Sequence, residues 1–281
     1  MLLSVLAAAL VFTQQDASLA YRTAAELVQS FTPRDAGTVR SQRAAVFLLE
    51  EASKAGANVR RDVFKAAAPG GVRRFVNLYA DFVCNPTGSW VVVMSHYDTK
   101  PGVECPGAND GASTSGLLVG LANALASWHE RRGNVMLVWT DAEECRNAYV
   151  ADDGFQGSRR AVEYVKEQNR AVKAAICLDM IGDRDLHVSI PSNVSEGLAR
   201  VAERAARAAG FPKLVSRARE IVKDDHVAFL EAGHDAIDLI DFSYGPDNAW
   251  WHSPEDTMDK ISEKSLLKSG KLVAEMLNIL L

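Results

Sequence analysis

The sequence lacks long basic runs, internal repeats, low-complexity tracts and any apolar run long enough to span a membrane. Its net charge is −5 and its pI is 5.7. Nucleic acids and anionic membrane surfaces attract clustered positive charge, so both classes of partner are disfavoured and no stable membrane insertion is expected. Since no linker divides the 281 residues, the chain is expected to fold around one core.

Cysteine is scarce, and its spacing excludes one class of metal site. The four cysteines include no C-x-x-C pair, so no thiolate zinc knuckle is indicated. Cys177 lies in an apolar strand pattern, which predicts a buried thiol. Cys105 and Cys145 lie on loops beside candidate metal ligands, and in an exported protein these two can form a disulfide that braces the site.

The N-terminus departs from the globular pattern. Residues 2–12 form an apolar stretch of the length found in secretory signals and too short to cross a bilayer, although no Lys or Arg precedes it. Small and polar residues at 13–20 are typical of a cleavage region. We predict an export segment over residues 1–20, a catalytic domain over residues 21–281, and a secreted or periplasmic location. The alternative is an N-terminal helix that packs on the domain.

Hydrophobic periodicity predicts an alternation of strands and helices. The predicted helices cover residues 20–31, 38–55, 112–128, 159–168, 195–209, 225–232 and 262–281. The predicted strands cover residues 59–66, 74–82, 90–95, 134–140, 174–178 and 236–240. Near-continuous apolar strands between helices indicate a sheet covered on both faces, as in a single α/β domain.

Acidic and imidazole side chains follow four of the predicted strands. They are His96, Asp98, Asp110, Glu143, Glu144, Asp179 and His252. Because ligands of open α/β sheets bind beyond the carboxyl ends of the strands, we expect these side chains to converge. Burying them without a partner would be costly. Imidazole and carboxylate without thiolate form a set of ligands that suits zinc.

Each of these residues also has a structural alternative. Asp110 can be the N-cap of the helix that follows it. The acidic pair at 143–144 can be solvated loop charge, and His252 can open a turn. Asp98 can orient His96 by accepting its second N–H rather than bind metal. The joint placement of these residues after four strands favours a metal site.

Five motifs together resemble the zinc exopeptidases of metallopeptidase family 28 and, within them, the animal-type glutaminyl cyclases. The motifs are His96-Tyr-Asp98, Gly107-Ala-Asn-Asp110, Asp141-Ala-Glu143-Glu144, Leu178-Asp179 and His252-Ser-Pro-Glu-Asp-Thr. The resemblance extends over residues 90–260. It implies a single-domain, three-layer α/β/α sandwich around a mixed, mostly parallel sheet.

For the aminopeptidases of that family, the resemblance implies two zinc ions bridged by Asp110. The remaining ligands would be His96 and Asp179 for one ion, and Glu144 and His252 for the other. Glu143 would be the general base, and Asp98 would orient His96.

For the cyclases, the resemblance implies one zinc ion, bound by Asp110, Glu144 and His252. Asp179 would join a carboxylate hydrogen-bond network with Asp224. Glu143 would pass the proton of the substrate's α-amine to the departing ammonia.

Three features favour the cyclase branch. Twelve residues, 145–156, follow the acidic pair, and cyclases have a similar insert. The segment at 224–226 is Asp-Asp-His, and Trp251 matches the cyclase tryptophan that contacts substrate. Asp224 can instead be a helix N-cap, and Trp251 a core aromatic. One departure is Asp238, which stands where animal cyclases have a histidine of the substrate-orienting network, although an acid can still accept a hydrogen bond.

The leading interpretation is a zinc-dependent glutaminyl-peptide cyclotransferase that acts on peptides or small substrates with N-terminal glutamine. The alternative is a zinc aminopeptidase. A third interpretation is an inactive member that serves as a binding domain, and the retention of Glu143 with five possible ligands argues against it.

Overall fold

A computed structural model describes residues 8–281. The predicted export segment falls partly on residues 1–7, which lie outside the described residues. The first helix, α1 (Gln14–Phe31), begins six residues before the predicted start because Thr13 and Asp16 form a reciprocal capping box. Leu10 and Phe12 lie in the core. Residues 10–20 therefore pack on the domain, which is the alternative considered for this segment, and export stays a prediction.

Within residues 8–281, eight strands form one mixed sheet in the order β1-β2-β4-β3-β5-β8-β6-β7. They are β1 (Val59–Ala68), β2 (Gly71–Phe82), β3 (Trp90–His96), β4 (Asn134–Thr140), β5 (Val172–Asp179), β6 (Val188–Ile190), β7 (Val215–Arg217) and β8 (Ala236–Ile240). The neighbours β4, β3, β5 and β8 are parallel, whereas β1-β2, β2-β4 and β6-β8 are antiparallel. All six predicted strands are confirmed. Strands β6 and β7 were not predicted, because a strand of three residues is too short to show hydrophobic periodicity.

Helices cover both faces of the sheet, which confirms the predicted sandwich. The remaining helices are α2 (Val39–Lys54), α3 (Thr114–Ser127), α4 (Gln156–Glu167), α5 (Glu196–Ala208), α6 (His226–Glu231) and α7 (Glu263–Leu280). The larger apolar core joins α1, α2, α3, α5 and α7 to one face of the sheet. A smaller core joins α4 and α6 to the other face. No helix within residues 8–281 has the length and apolarity that a bilayer crossing requires.

Close contact between α1 and α3 depends on a small residue in α3. A Cβ atom at Gly116 would lie 2.3 Å from the carbonyl oxygen of Ala20. Glycine at this position therefore allows the backbones of α1 and α3 to approach closely. The parallel strands β3, β4, β5 and β8 bring their carboxyl ends to the same edge of the sheet.

Candidate metal centre and active site

The loop after β3 places Asp110 at the centre of the candidate site. It ends in a π-helical turn, Ala108–Ser113, in which Asp110 (φ −84°, ψ 92°) and Gly111 (φ 91°) are not helical. The N-cap of α3 is Ser113, so the helix-cap alternative for Asp110 is wrong. A Cβ atom at Gly111 would lie 3.0 Å from Cε1 of His96, and glycine therefore lets the loop approach the imidazole.

Two triads of ligand-type side chains, all buried except the half-buried His252, share the carboxylate of Asp110. In the first triad, Nε2 of His96 lies 3.1 Å from Oδ1 of Asp110 and 3.2 Å from Oδ1 of Asp179. In the second triad, Nε2 of His252 lies 2.8 Å from Oε1 of Glu144 and 3.2 Å from Oδ2 of Asp110. The structure thus brings together all five residues that the sequence analysis selected as ligands.

The second triad has the chemistry of a zinc site. Oδ2 of Asp110 is buried and has no hydrogen-bond partner among the described residues, although it faces the imidazole of His252. The ligand-type atoms of each triad lie within 4.8 Å of one another. Imidazole nitrogens and carboxylate oxygens that converge in this way fit zinc, and both triads meet this test.

The imidazoles and carboxylates of the triads shift one another's pKa values. Burial opposes a charged imidazole, but the adjacent carboxylates of Asp110 and Glu144 outweigh it and raise the pKa of His252 to about 9. Burial would raise the pKa of Asp110, yet the adjacent imidazoles of His252 and His96 hold that pKa well below its usual value. Because metal ligands must be unprotonated histidines and carboxylates, zinc binding at neutral pH would release protons from this site.

Asp98 lies behind the first triad and orders the chain after β4. Its two carboxylate oxygens accept the N–H groups of Glu143 and Glu144, each over 3.2 Å. Oδ1 of Asp98 lies 3.6 Å from Nδ1 of His96, whereas the backbone oxygen of Asp98 is nearer, at 3.2 Å. The orienting contact to His96 is therefore made through the main chain, and the carboxylate positions the acidic pair.

The acidic pair is buried, so the solvated-loop alternative is wrong. Glu143 and Glu144 are 5% and 4% exposed. Burial, and then the charge of Glu144, raise the pKa of Glu143 well above its usual value. The hydroxyl of Tyr149 donates to both side chains over 3.4 Å, and Nζ of Lys100 lies 3.4 Å from Oε2 of Glu144. Tyr149 and Lys100 were not predicted as site residues. For Tyr149, the available signal was an aromatic residue inside the insert at 145–156.

A cavity of about 220 Å³ opens beside the second triad. It is lined by Asp110, Glu143, Glu144, Tyr149, Asp179, Ile221, Val222, Lys223, Asp224, Ile240, Phe242, Trp251 and His252. Trp251 is 37% exposed, stacks on the ring of His252 with centroids 4.0 Å apart, and meets Phe242 edge to face. The core-aromatic alternative for Trp251 is therefore wrong, because this indole forms part of the cavity wall.

Asp224 and Asp238 occupy different positions relative to this cavity. Asp224 lines it, and burial, with the charge of Asp179, raises the pKa of Asp224 to about 7. The N-cap of α6 is Asp225, so Asp224 is not the helix cap. Asp238 is fully buried beside Asp224 and Cys177 and does not line the cavity, so a direct contact with substrate would need the wall to move. Any influence of Asp238 on substrate would pass through Asp224.

The possible disulfide between Cys105 and Cys145 is not formed. All four cysteines are free thiols. Sγ of Cys105 lies 3.9 Å from Oδ2 of Asp256, whereas Sγ of Cys145 lies 3.2 Å from Nζ of Lys100. The two thiols thus have different partners, although their loops are near the same site.

Comparison with known proteins identifies relatives of both chemistries. The sequence profile described as Peptidase family M28 matches residues 77–277. The aminopeptidase YwaD of Bacillus subtilis is 30% identical over 195 residues, which are 65% of this chain but only 39% of that protein. The glutaminyl-peptide cyclotransferase of Drosophila melanogaster is 25% identical over 259 residues, covering 82% of this chain and 72% of that protein.

Among solved structures, a glutaminyl cyclase from an Acidobacteriales bacterium superposes with a TM-score of 0.90 at 27% identity. The match covers 100% of this chain and 98% of that chain. The matched residues include all five site-bearing motifs and every candidate ligand. The family implies zinc, which agrees with the donor set of the two triads. The chain is therefore an enzyme of the zinc exopeptidase superfamily and belongs to peptidase family M28.

Proposed function

We propose that this enzyme is a glutaminyl-peptide cyclotransferase, which converts N-terminal glutamine to pyroglutamate and releases ammonia. The observation that carries the proposal is the composition of the cavity wall, in which Trp251 stacks on His252 and which also contains Glu143 and Asp224. This wall places a candidate proton carrier and an aromatic surface beside the candidate metal ligands. Likeness to a glutaminyl cyclase over the full chain adds support.

Cyclisation requires a proton to leave the attacking α-amine and a proton to reach the departing ammonia. Glu143 lies in the cavity wall, and its raised pKa suits a carboxyl group that first accepts and then returns a proton. Hydrogen bonds from the backbone N–H groups of Glu143 and Glu144 to the carboxylate of Asp98 hold the acidic pair in place. The same side chain can therefore serve both proton transfers without a water nucleophile.

The substrate amide would face the second triad. Zinc held by Asp110, Glu144 and His252 would polarise the γ-carboxamide of the substrate. Asp224 would accept a hydrogen bond from the α-amine, and Trp251 would shape the cavity so that the amine and the amide carbon meet. Because the attack is intramolecular, this positioning supplies much of the rate.

The proposal is tested by incubating the purified protein with a glutamine-initiated peptide and, separately, with an aminoacyl chromogenic substrate. We expect ammonia release and a pyroglutamyl product from the first substrate and no reaction with the second. The same peptide with N-terminal asparagine is the matched control. Release of free amino acids without pyroglutamate would establish the aminopeptidase alternative instead.

The aminopeptidase alternative is favoured by one observation, the complete first triad of His96, Asp110 and Asp179. Metal content separates the two. If one zinc ion is bound, His96→Ala should keep the wild-type zinc content, and His252→Ala should lose it. Elemental analysis of both purified variants measures this. Two zinc ions in the wild type, with one lost in His96→Ala, would shift the assignment to the aminopeptidase.

Trp251→Ala is expected to lower kcat/KM for the glutamine peptide by about 100-fold, because the substrate loses the wall that aligns its amine with its amide. Steady-state kinetics measure the change. Trp251→Phe keeps an aromatic wall and should recover much of the rate. Wild-type kinetics in Trp251→Ala would show that the indole does not shape the reacting conformation.

A further inference from the structure

Arg34 is a buried cation next to the loop that carries Asp110. It lies between α1 and α2, outside residues 77–277 that match the family profile, and it is 0% exposed. A buried guanidinium is costly unless its donors are satisfied, and arginine stays charged in proteins. Its location therefore requires specific partners, and these partners reveal its role.

Every side-chain partner of Arg34 is a main-chain carbonyl of the chain around the metal centre. Nε donates to Tyr97 over 2.7 Å, and Nη1 donates to Pro106 over 2.8 Å. Nη2 donates to Gly107 over 2.5 Å and reaches the carbonyl of Asp110 at 3.5 Å. One planar group thus connects the residue after β3 to the start of the Asp110 turn and to Asp110 itself.

An anion holds the same turn from its N–H side. The carboxylate of Asp256 accepts the N–H groups of Asn109 over 2.7 Å and of Asp110 over 3.2 Å, and the hydroxyl of Tyr244 over 2.6 Å. The turn is therefore fixed between a cation on its carbonyls and an anion on its amides. The cation thus lies at the negative carbonyl ends of the peptide dipoles, and the anion lies at their positive N–H ends.

The shape of the turn is built around the guanidinium. Gly107 has φ 65°, and a Cβ atom there would lie 2.7 Å from Nη2 of Arg34. The turn then delivers Asp110, the one carboxylate that both triads share. Because metal–ligand distances tolerate only about 0.2 Å of error, a small shift of this backbone would impair both triads at once.

We propose that Arg34 is a positioning residue of the metal centre, whose fork of donors sets the Asp110 turn so that zinc affinity depends on it. The inference rests on the zinc site of the proposed function. It does not depend on which reaction the enzyme catalyses.

The test measures the zinc dissociation constant of the metal-free full chain by competition with a chromophoric chelator. Arg34→Met, which keeps the volume but loses the charge and the donors, should bind zinc about 10- to 100-fold more weakly. Arg34→Lys should also weaken binding, because one ammonium group cannot reproduce a planar fork on separate carbonyls. Leu48→Ala, a core change in α2 away from the turn, is the stability control and should keep the wild-type zinc affinity.

Wild-type zinc affinity in Arg34→Met would overturn the proposal. An equal loss of zinc affinity in Leu48→Ala, at the same fall in Tm as in Arg34→Met, would overturn it as well. If Arg34→Met does not fold, Arg34→Lys decides, since wild-type zinc affinity in that variant would also overturn it. If the wild type releases no ammonia from glutamine peptides but the Arg34 variants still bind zinc more weakly, only the cyclase assignment is refuted. A wild-type chain that binds no zinc would refute both.

Discussion

Glu143→Gln is expected to lower kcat for the glutamine peptide by about 10²- to 10⁴-fold while zinc content stays at the wild-type level. The substitution keeps the size of the side chain but removes its ability to carry a proton. Because the side chain lies in the cavity wall and is absent from both triads, metal binding should not change. Steady-state ammonia release and elemental analysis of the same preparation measure the two quantities.

The matched control is Glu50→Gln, which makes the same chemical change at an exposed position on α2. It should leave both kcat and zinc content unchanged. Full activity in Glu143→Gln would exclude proton transfer through this carboxylate. Loss of zinc in that variant would instead identify Glu143 as a ligand.

Asp110→Asn is expected to abolish zinc binding, with a loss of affinity greater than the roughly 100-fold effect of removing an outer hydrogen-bond partner. The substitution removes the charge that the two triads share, and it replaces a ligand oxygen with an NH₂ group that points at one of the imidazoles. Activity should fall with metal content. Zinc titration of the metal-free protein measures the affinity.

Thermal unfolding gives an independent readout of the same variant. A ligand that binds only the folded state raises Tm, so added zinc should raise Tm for the metal-free wild type but not for Asp110→Asn. Asp235→Asn, an exposed change in the turn before β8, should respond to zinc like the wild type. If added zinc raised the Tm of Asp110→Asn as much as that of the wild type, zinc would bind elsewhere in the chain.

Local patterns predicted most of the fold. The strands at 134–140 and 236–240 and the helix-ending Gly56 (φ 91°) agree with the structure residue for residue. Each depends on periodicity or on glycine geometry, which act over a few neighbouring residues. The start of α1 was missed because a capping box at Thr13 decides it, within a stretch whose apolar composition resembles an export signal.

Two details of the site depended on distance in space. The possible disulfide between Cys105 and Cys145 does not form, because the thiols take separate partners. Asp238, which the resemblance places in the substrate-orienting network, lies on strand β8 behind the cavity wall. Neither position follows from sequence spacing, because each depends on how loops or strands far apart in the chain pack together.

The sequence by itself determined which chemical groups stand at the strand ends, because strand termini and ligand types are local properties. It therefore predicted all members of both triads and the choice of zinc. Only the tertiary structure decided that Tyr149 reaches the acidic pair and that Arg34 holds the Asp110 turn. Arg34 is 73 residues from Gly107 in the sequence, and Tyr149 lies in an insert without regular structure, so no local periodicity specifies either contact.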